Sequence, residues 1–295
     1  MRSPICDRLP EFNWREGDEF LMPHSPPFAL PKHMSRFLSL LVSGFVIAAL
    51  AMAAVPLLRI VFNFDVQAQD WRTASREPVG WAPAPEDYAP AIVQAYCAPA
   101  VRWRGSFGDH CWVAAKPANA AEYRRYEVIG FRLRRLGTSV IETDTTTPDR
   151  RWYGAFPKLV QDLRGEQAEQ IIAALPAAVA AYPNAETYRV WPGPNSNTFI
   201  AFLARKIPEF ELALPSKALG KDYLGWKLFA RAPSGTGYQF SLGGLFGVLL
   251  AQKEGLEISI LGLVVGINPF NPSISIPGAG RIPFQADWTA KADEP

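Results

Sequence analysis

The sequence predicts a mixed α+β protein carried on one membrane-spanning helix and ending in an antiparallel β-meander. Three observations point there. Residues Phe37–Leu58 form an apolar run without a single charge. The chain beyond it alternates between strand-like and helix-like periods. Its last quarter is rich in β-branched and aromatic residues interrupted at short intervals by glycine-containing turns. The composition is that of a folded chain, with 48% hydrophobic and 20% charged residues over 295 positions. Thirty basic residues against 28 acidic leave a net charge of +2, which argues against nucleic acid as a partner, since such proteins carry a basic excess. Three cysteines and three histidines do not supply a multi-ligand metal site, so neither a metal nor a cofactor is expected. Gly243-Gly244-Leu245-Phe246-Gly247 is no phosphate cradle, because no helix start follows it.

Taken in order, the first 33 residues hold Pro23, Pro26, Pro27 and Pro31 and read as an unstructured tail. Met34-Ser35-Arg36 before the apolar run has the form of a signal n-region, which points to Met34 as the natural start. Phe37–Leu58 reaches about 33 Å as a helix, enough to cross a hydrocarbon core of about 30 Å. Residues 34–60 are therefore assigned as a signal anchor whose partner is the lipid bilayer. The flanking Lys32 and Arg36 balance Arg59 and Arg72, so basic residues do not set the orientation; the short leading segment and large following domain favour export of the bulk of the chain. A cleaved signal peptide fits the same run, with small-residue sites at Ala51-Met52-Ala53 and Val66-Gln67-Ala68. Residues 61–92, with Pro78, Pro83, Pro85 and Pro90, read as an extended linker.

From residue 93 to 222 the pattern is that of an α+β domain. Ser106–Ala115 and Tyr123–Leu133 are predicted strands joined by a turn at Lys116–Asn119, and Val140–Thr143 is a third. Glu166–Tyr182 has helical spacing between Gly165 and Pro183, with Pro176 expected to kink or split it. Thr187–Trp191 is a short strand candidate, and Thr198–Ile207 an amphipathic helix after the turn Pro192-Gly193-Pro194-Asn195. From 223 to 295, Trp226–Arg231, Tyr238–Leu250 and Leu256–Ile267 form the meander. Its two later strands are apolar on both faces and must be covered by protein or touch lipid.

Two features can carry chemistry. His110 lies inside a predicted strand and is either a hydrogen-bonded strand residue or a general base. Ser196 follows a sharp turn and opens a helix, where free N–H groups favour a developing negative charge. Asn195 or Ser196 serves equally well there as the helix N-cap. Glu127, on the next strand, is a candidate to orient His110 or a surface glutamate. Asp109 points to the opposite side of the strand, and Asp149 beside Arg150 and Arg151 reads as a loop ion pair. Trp152-Tyr153-Gly154 and Lys221-Asp222-Tyr223 are packing or pocket residues. Cys97 and Cys111 are candidates for a disulfide, and Arg124, Arg125, Arg132, Arg134 and Arg135 form a basic, solvated face.

The histidine-bearing strand with Trp112, followed later by Asn195-Ser196-Asn197-Thr198-Phe199 opening a helix, resembles the permuted papain-like hydrolases. These include the lecithin retinol acyltransferase and PPPDE peptidase families. The resemblance implies a papain-like mixed core, with His110 in the place of the base and Ser196 in that of the cysteine nucleophile. Serine replaces cysteine here and Thr198 stands where those families often carry histidine, so the likeness bears on fold more than on activity. A closer likeness runs over His110, Ala115-Lys116-Pro117, Tyr126-Glu127-Val128, Pro148-Asp149, Trp152-Tyr153-Gly154, Gly193–Phe199 and Gly220-Lys221-Asp222-Tyr223. It resembles the proteobacterial family known as domain of unknown function 3750, which implies a bacterial inner-membrane protein with most of the chain periplasmic. The expected site is thus His110, Ser196, Asn197 and Glu127, with Asn195, Trp152 and Tyr153 binding an envelope substrate or ligand. Its chemistry would be hydrolysis or acyl transfer; the alternative is a non-catalytic module using the same cleft.

Overall fold

The computed structural model describes residues 32–62 and 72–284. The tail up to residue 31, the small-residue site at Val66-Gln67-Ala68 and the stretch from 285 to 295 lie outside the described residues. Helix α1 (Lys32–Val61) contains Ser39–Val61, long and apolar enough to cross a membrane. Its contacts place residues up to Gly44 in one unit and those from Phe45 onward in another. Among the described side chains of α1 within the second unit, only Met52 and Pro56, one turn apart on one side, are buried.

Five antiparallel strands follow: β1 (Ile92–Pro99), β2 (Asp109–Lys116), β3 (Tyr123–Val128), β4 (Val140–Thr145) and β5 (Lys158–Arg164). Their order is β4-β3-β2-β1-β5, so β1 and β2 are central and covered on both faces. Ile92–Ala98 is buried throughout, which removes the alternation by which a half-buried strand is recognised and explains why its sequence did not mark it. The strand expected to reach Leu133 stops at Val128. A helical turn, α2 (Leu133–Leu136), follows and is ended by Gly137 at φ 71°. Cys97 and Cys111 face each other across β1 and β2 and are joined by a disulfide.

Helix α3 (Glu166–Ala180) runs as one element through Pro176, so of the expected kink or split the split does not occur, and Thr187–Trp191 is irregular instead of a strand. Helix α4 (Ser196–Lys206) and α3 lay Phe199, Ile200, Leu203, Ile171 and Leu175 against one face of the sheet, where Cys111, Val113 and Ala115 point. The other face carries Tyr96, Trp112, Trp152 and Ala114 and is closed by the proline-rich segment after α1. That segment is tied down: Trp81 and Ala82 donate their N–H groups to Asp149 Oδ2, and Tyr123 Oη donates to Pro83 O. Asp149 therefore caps backbone rather than pairing with the neighbouring arginines.

The C-terminal meander has seven strands in sequential order. They are β6 (Phe229–Arg231), β7 (Gly237–Leu242), β8 (Phe246–Ala251), β9 (Gly255–Ile260), β10 (Leu263–Asn268), β11 (Ser273–Ile276) and β12 (Gly280–Pro283). The two long strands expected at 238–250 and 256–267 are each a hairpin. Gly243-Gly244 and Leu261-Gly262 take positive φ at consecutive residues and turn the chain back. The polarity of this sheet is reversed. Its inner face buries Gln239, Ser241, Glu257, Ser259, Asn268 and Ser275, whereas Tyr238, Leu250, Leu256 and Ile267 are exposed. Strand register aligns the outward residues into continuous rows. One runs Arg231, Tyr238, Leu250, Leu256, Ile267, Ile274 and Ile282; another runs Phe229, Phe240, Val248, Ile258 and Val265.

Candidate functional site

The alternation of β2 decides what each of its side chains meets. Cys111, Val113 and Ala115 face the helices, and His110 and Trp112 the opposite side. On β3 the same rule puts Tyr126 and Val128 toward the helices and leaves Arg125 and Glu127 beside His110. There His110 Nε2 meets Glu127 Oε2 at 3.2 Å. The other carboxylate oxygen accepts from Arg125 Nε at 2.8 Å and Arg150 Nη2 at 3.2 Å. The Trp152 ring stacks on His110 with centroids 3.7 Å apart, and Tyr153 packs edge-on against Trp152. Arg125, expected on the basic surface, is instead buried. Arg124 pairs on the surface with Asp144.

These surroundings settle the charges. Burial pushes Glu127 up, but the hydrogen bond from His110 and the charges of Arg125 and Arg150 outweigh it and bring its pKa down to about 2. Burial also holds His110 below its ordinary value, against the opposing pull of Glu127. A neutral imidazole facing an ionised carboxylate through Nε2 carries its proton on that nitrogen, which leaves Nδ1 as the basic lone pair. Among the described residues Nδ1 makes no hydrogen bond.

The second half of the site is built at the open edge of β2. Strand β3 pairs with β2 only at Val113–Ala115, so at residues 109–111 other segments take the place of a strand, and Asp109 N donates to Lys217 O at 2.9 Å. Asn197 fills the gap: its Oδ1 accepts from Cys111 N at 3.1 Å and its Nδ2 donates to Asp109 O at 2.8 Å. The start of α4 is thereby fastened to the backbone on both sides of His110. Asn195 is the N-cap, its Oδ1 accepting from Asn197 N and Thr198 N while Thr198 Oγ1 accepts from Asn195 N. Asn195 Nδ2 donates to Val190 O and Leu219 O, and Thr198 Oγ1 donates to Gly220 O. Gly220, at φ 98°, has no room for a side chain, since a Cβ would stand 2.2 Å from Asn195 Nδ2.

Ser196 is the first residue of α4 and is buried. Its hydroxyl and its backbone N–H make no hydrogen bond among the described residues, whereas the N–H groups of Asn197 and Thr198 are committed to the cap. His110 and Glu127 are brought into contact, and Trp152 stacks on His110 with Tyr153 edge-on behind it; Asn195, Ser196 and Asn197 are gathered at the start of α4, where Asn197 is bonded to the backbone of residues 109 and 111. Asp109 pairs with Lys217 at 3.2 Å on the helix-facing side of β2. By sequence Arg150 enters only as a loop partner of Asp149 and Gly220 only through the family likeness, and neither is assigned to the site. The Arg125-x-Glu127 spacing, which puts both on one face of a strand, was the available signal for Arg125. Among the described residues no group of three potential metal ligands occurs.

Residues 90–223 match the family described as Protein of unknown function (DUF3750). The matched stretch runs from the start of β1 to the end of the loop that anchors α4, and so holds every residue of this site. No curated protein and no solved structure matches the chain.

Proposed function

We propose that residues 90–223 form an envelope-facing hydrolase or acyl-transferase-like domain, held at the bacterial inner membrane by α1, with Ser196 as nucleophile and His110 as base. The observation that carries this reading is Asn197: its carboxamide grips the backbone on both sides of His110 and is covalently next to Ser196. A serine hydroxyl needs a base to become nucleophilic, and a base needs a third group to fix its tautomer. Glu127 supplies the latter through Nε2, and the unengaged Nδ1 supplies the former.

In this scheme Ser196 Oγ attacks an acyl or amide carbonyl as His110 Nδ1 takes the hydroxyl proton. The backbone N–H of Ser196, at the positive end of α4, donates to the developing oxyanion. The same proton, returned by His110, leaves with the amine or alcohol as the carbonyl–leaving-group bond breaks. Water activated by His110, or an acceptor in acyl transfer, then releases Ser196. Glu127 stays ionised throughout, because two arginines hold it so. The order of histidine strand and later nucleophile helix is the permuted papain-like one, and Asn195, Trp152 and Tyr153 are the residues nearest to a bound acyl group in this reading. The apolar helix and the disulfide both support an extracytoplasmic setting, since disulfides persist in oxidising compartments.

Labelling of the full chain in membranes with a fluorophosphonate serine probe tests the assignment. Labelling is expected for the wild type and lost in Ser196→Ala and His110→Ala. Equal labelling of wild type and Ser196→Ala would sink it and leave a non-catalytic binding module in its place.

A further inference from the structure

We infer that the outer face of the β6–β12 meander lies on the phospholipid bilayer that holds α1. A sheet that covers a core on one side normally turns its polar residues to water. This sheet does the reverse. From β7 to β12 no outward residue is charged, and apart from Arg231 on the edge strand β6 the two registered rows offer one hydrogen-bonding group, the hydroxyl of Tyr238. Continuous apolar surface of this kind on a folded protein marks a contact surface. Protein partners require about one hydrogen bond per 100–200 Å² of interface. Acyl chains require none, and this face provides almost none.

The turns agree. At one end of the sheet they read Gly243-Gly244-Leu245, Leu261-Gly262 and Pro277-Gly278-Ala279, all uncharged; at the other end Lys253 and Glu254 are charged. The uncharged end is the one that touches the membrane helix: a Cβ on Gly278 would stand 2.9 Å from Pro56 Cγ. Pro56 lies five residues before Val61, or about 8 Å inside the end of the apolar helix. The last hairpin therefore meets α1 at the depth of the headgroup and upper acyl region. Ile274 and Ile282 continue the apolar face up to that hairpin. Tethering by α1 keeps the sheet at the surface, so each outward side chain needs to contribute only its own transfer free energy to hold it down.

The test uses the full chain in vesicles of phosphatidylcholine and phosphatidylglycerol, with and without bromine in the acyl chains. In a Cys6→Ser background, which keeps the Cys97–Cys111 disulfide, an environment-sensitive fluorophore is attached at Leu250→Cys, at Ile258→Cys and, as control, at the exposed Glu142→Cys on β4. Both meander positions are exposed in the folded domain, so neither substitution disturbs its interior. Emission at 250 and 258 is expected to shift to the blue and to be quenched by brominated lipid, with resistance to aqueous iodide, while 142 shows the opposite. Iodide quenching at 250 and 258 without lipid quenching would overturn the proposal. So would protection from both quenchers, and energy transfer between labelled chains would then identify a second copy as the occupant.

Discussion

His110 shows how a single residue acquires a role from its neighbours. Its side chain enters a space closed by Trp152, Trp112 and the Glu127 carboxylate, and burial there favours the neutral ring. The sign of the pH dependence follows. Below the ordinary value of 6.5 the unfolded chain binds a proton that folded His110 does not. Below 4.5 the unfolded chain binds a second one that folded Glu127, with its pKa near 2, refuses. Stability should therefore fall as pH drops from 6.5, by up to about 1.4 kcal/mol per pH unit for each such group, and fall further below 4.5. Thermal unfolding of the full chain in detergent as a function of pH checks this, and His110→Asn should flatten the curve between pH 6.5 and 5. His110 and Glu127 were legible in the sequence as residues of neighbouring strands, with Glu127 open between orienting the histidine and facing solvent until its burial decided it. Arg150 was not: it comes from a loop whose path over the sheet depends on Asp149 holding Trp81 and Ala82.

At the scale of elements, helix α4 is the best-specified part of the molecule. Asn195 or Ser196 is announced as a cap in the sequence, and the structure builds a reciprocal one from Asn195 and Thr198. What the sequence could not state is that the cap is locked from outside by residues 219–220, some twenty positions further on. Substituting Ala for Gly220 forces a side chain into Asn195 at a left-handed backbone angle. The expected cost is about 2 kcal/mol or more, read by denaturation, with probe labelling at Ser196 weakened together with it. Asn197→Ala leaves Cys111 N and the Asp109 carbonyl without their partner at the open edge of β2. It should reduce labelling more than stability, because Asn195 keeps the helix start intact. Strand β1 lies at the opposite extreme of legibility. A strand buried on both faces has no period, and only its pairing with β2 and β5 identifies it.

For the whole molecule, the reversed polarity of the meander sets where stability and docking reside. Its inner face is joined to the rest of the fold by Lys221, whose ammonium pairs with Glu257, and by Arg205, which donates to Gln239 Oε1 at 2.7 Å. Glu257 also lies 3.6 Å from Arg281. Removing one partner of a buried pair strands the other charge, so Glu257→Ala is expected to cost about 3–5 kcal/mol in detergent-solubilised protein. Ile258→Ser, the next residue but on the outer face, should cost clearly less there, about 1 kcal/mol, since its side chain is partly exposed and strands no charge. Equal losses for the two would contradict the assignment of inner and outer faces.

The amino-acid sequence by itself determined the apolar helix, the mixed α+β class, the meander and the candidate pair His110 and Ser196. Each of these rests on local signals: an uncharged run, a period, a turn or a cap. Only the tertiary structure decided that Arg125 and Arg150 clamp Glu127, that Asn197 closes the open edge of β2, and that the polar residues of the meander face inward. These depend on which distant segments meet, and a sequence period reports the two faces of a strand without saying which one is covered.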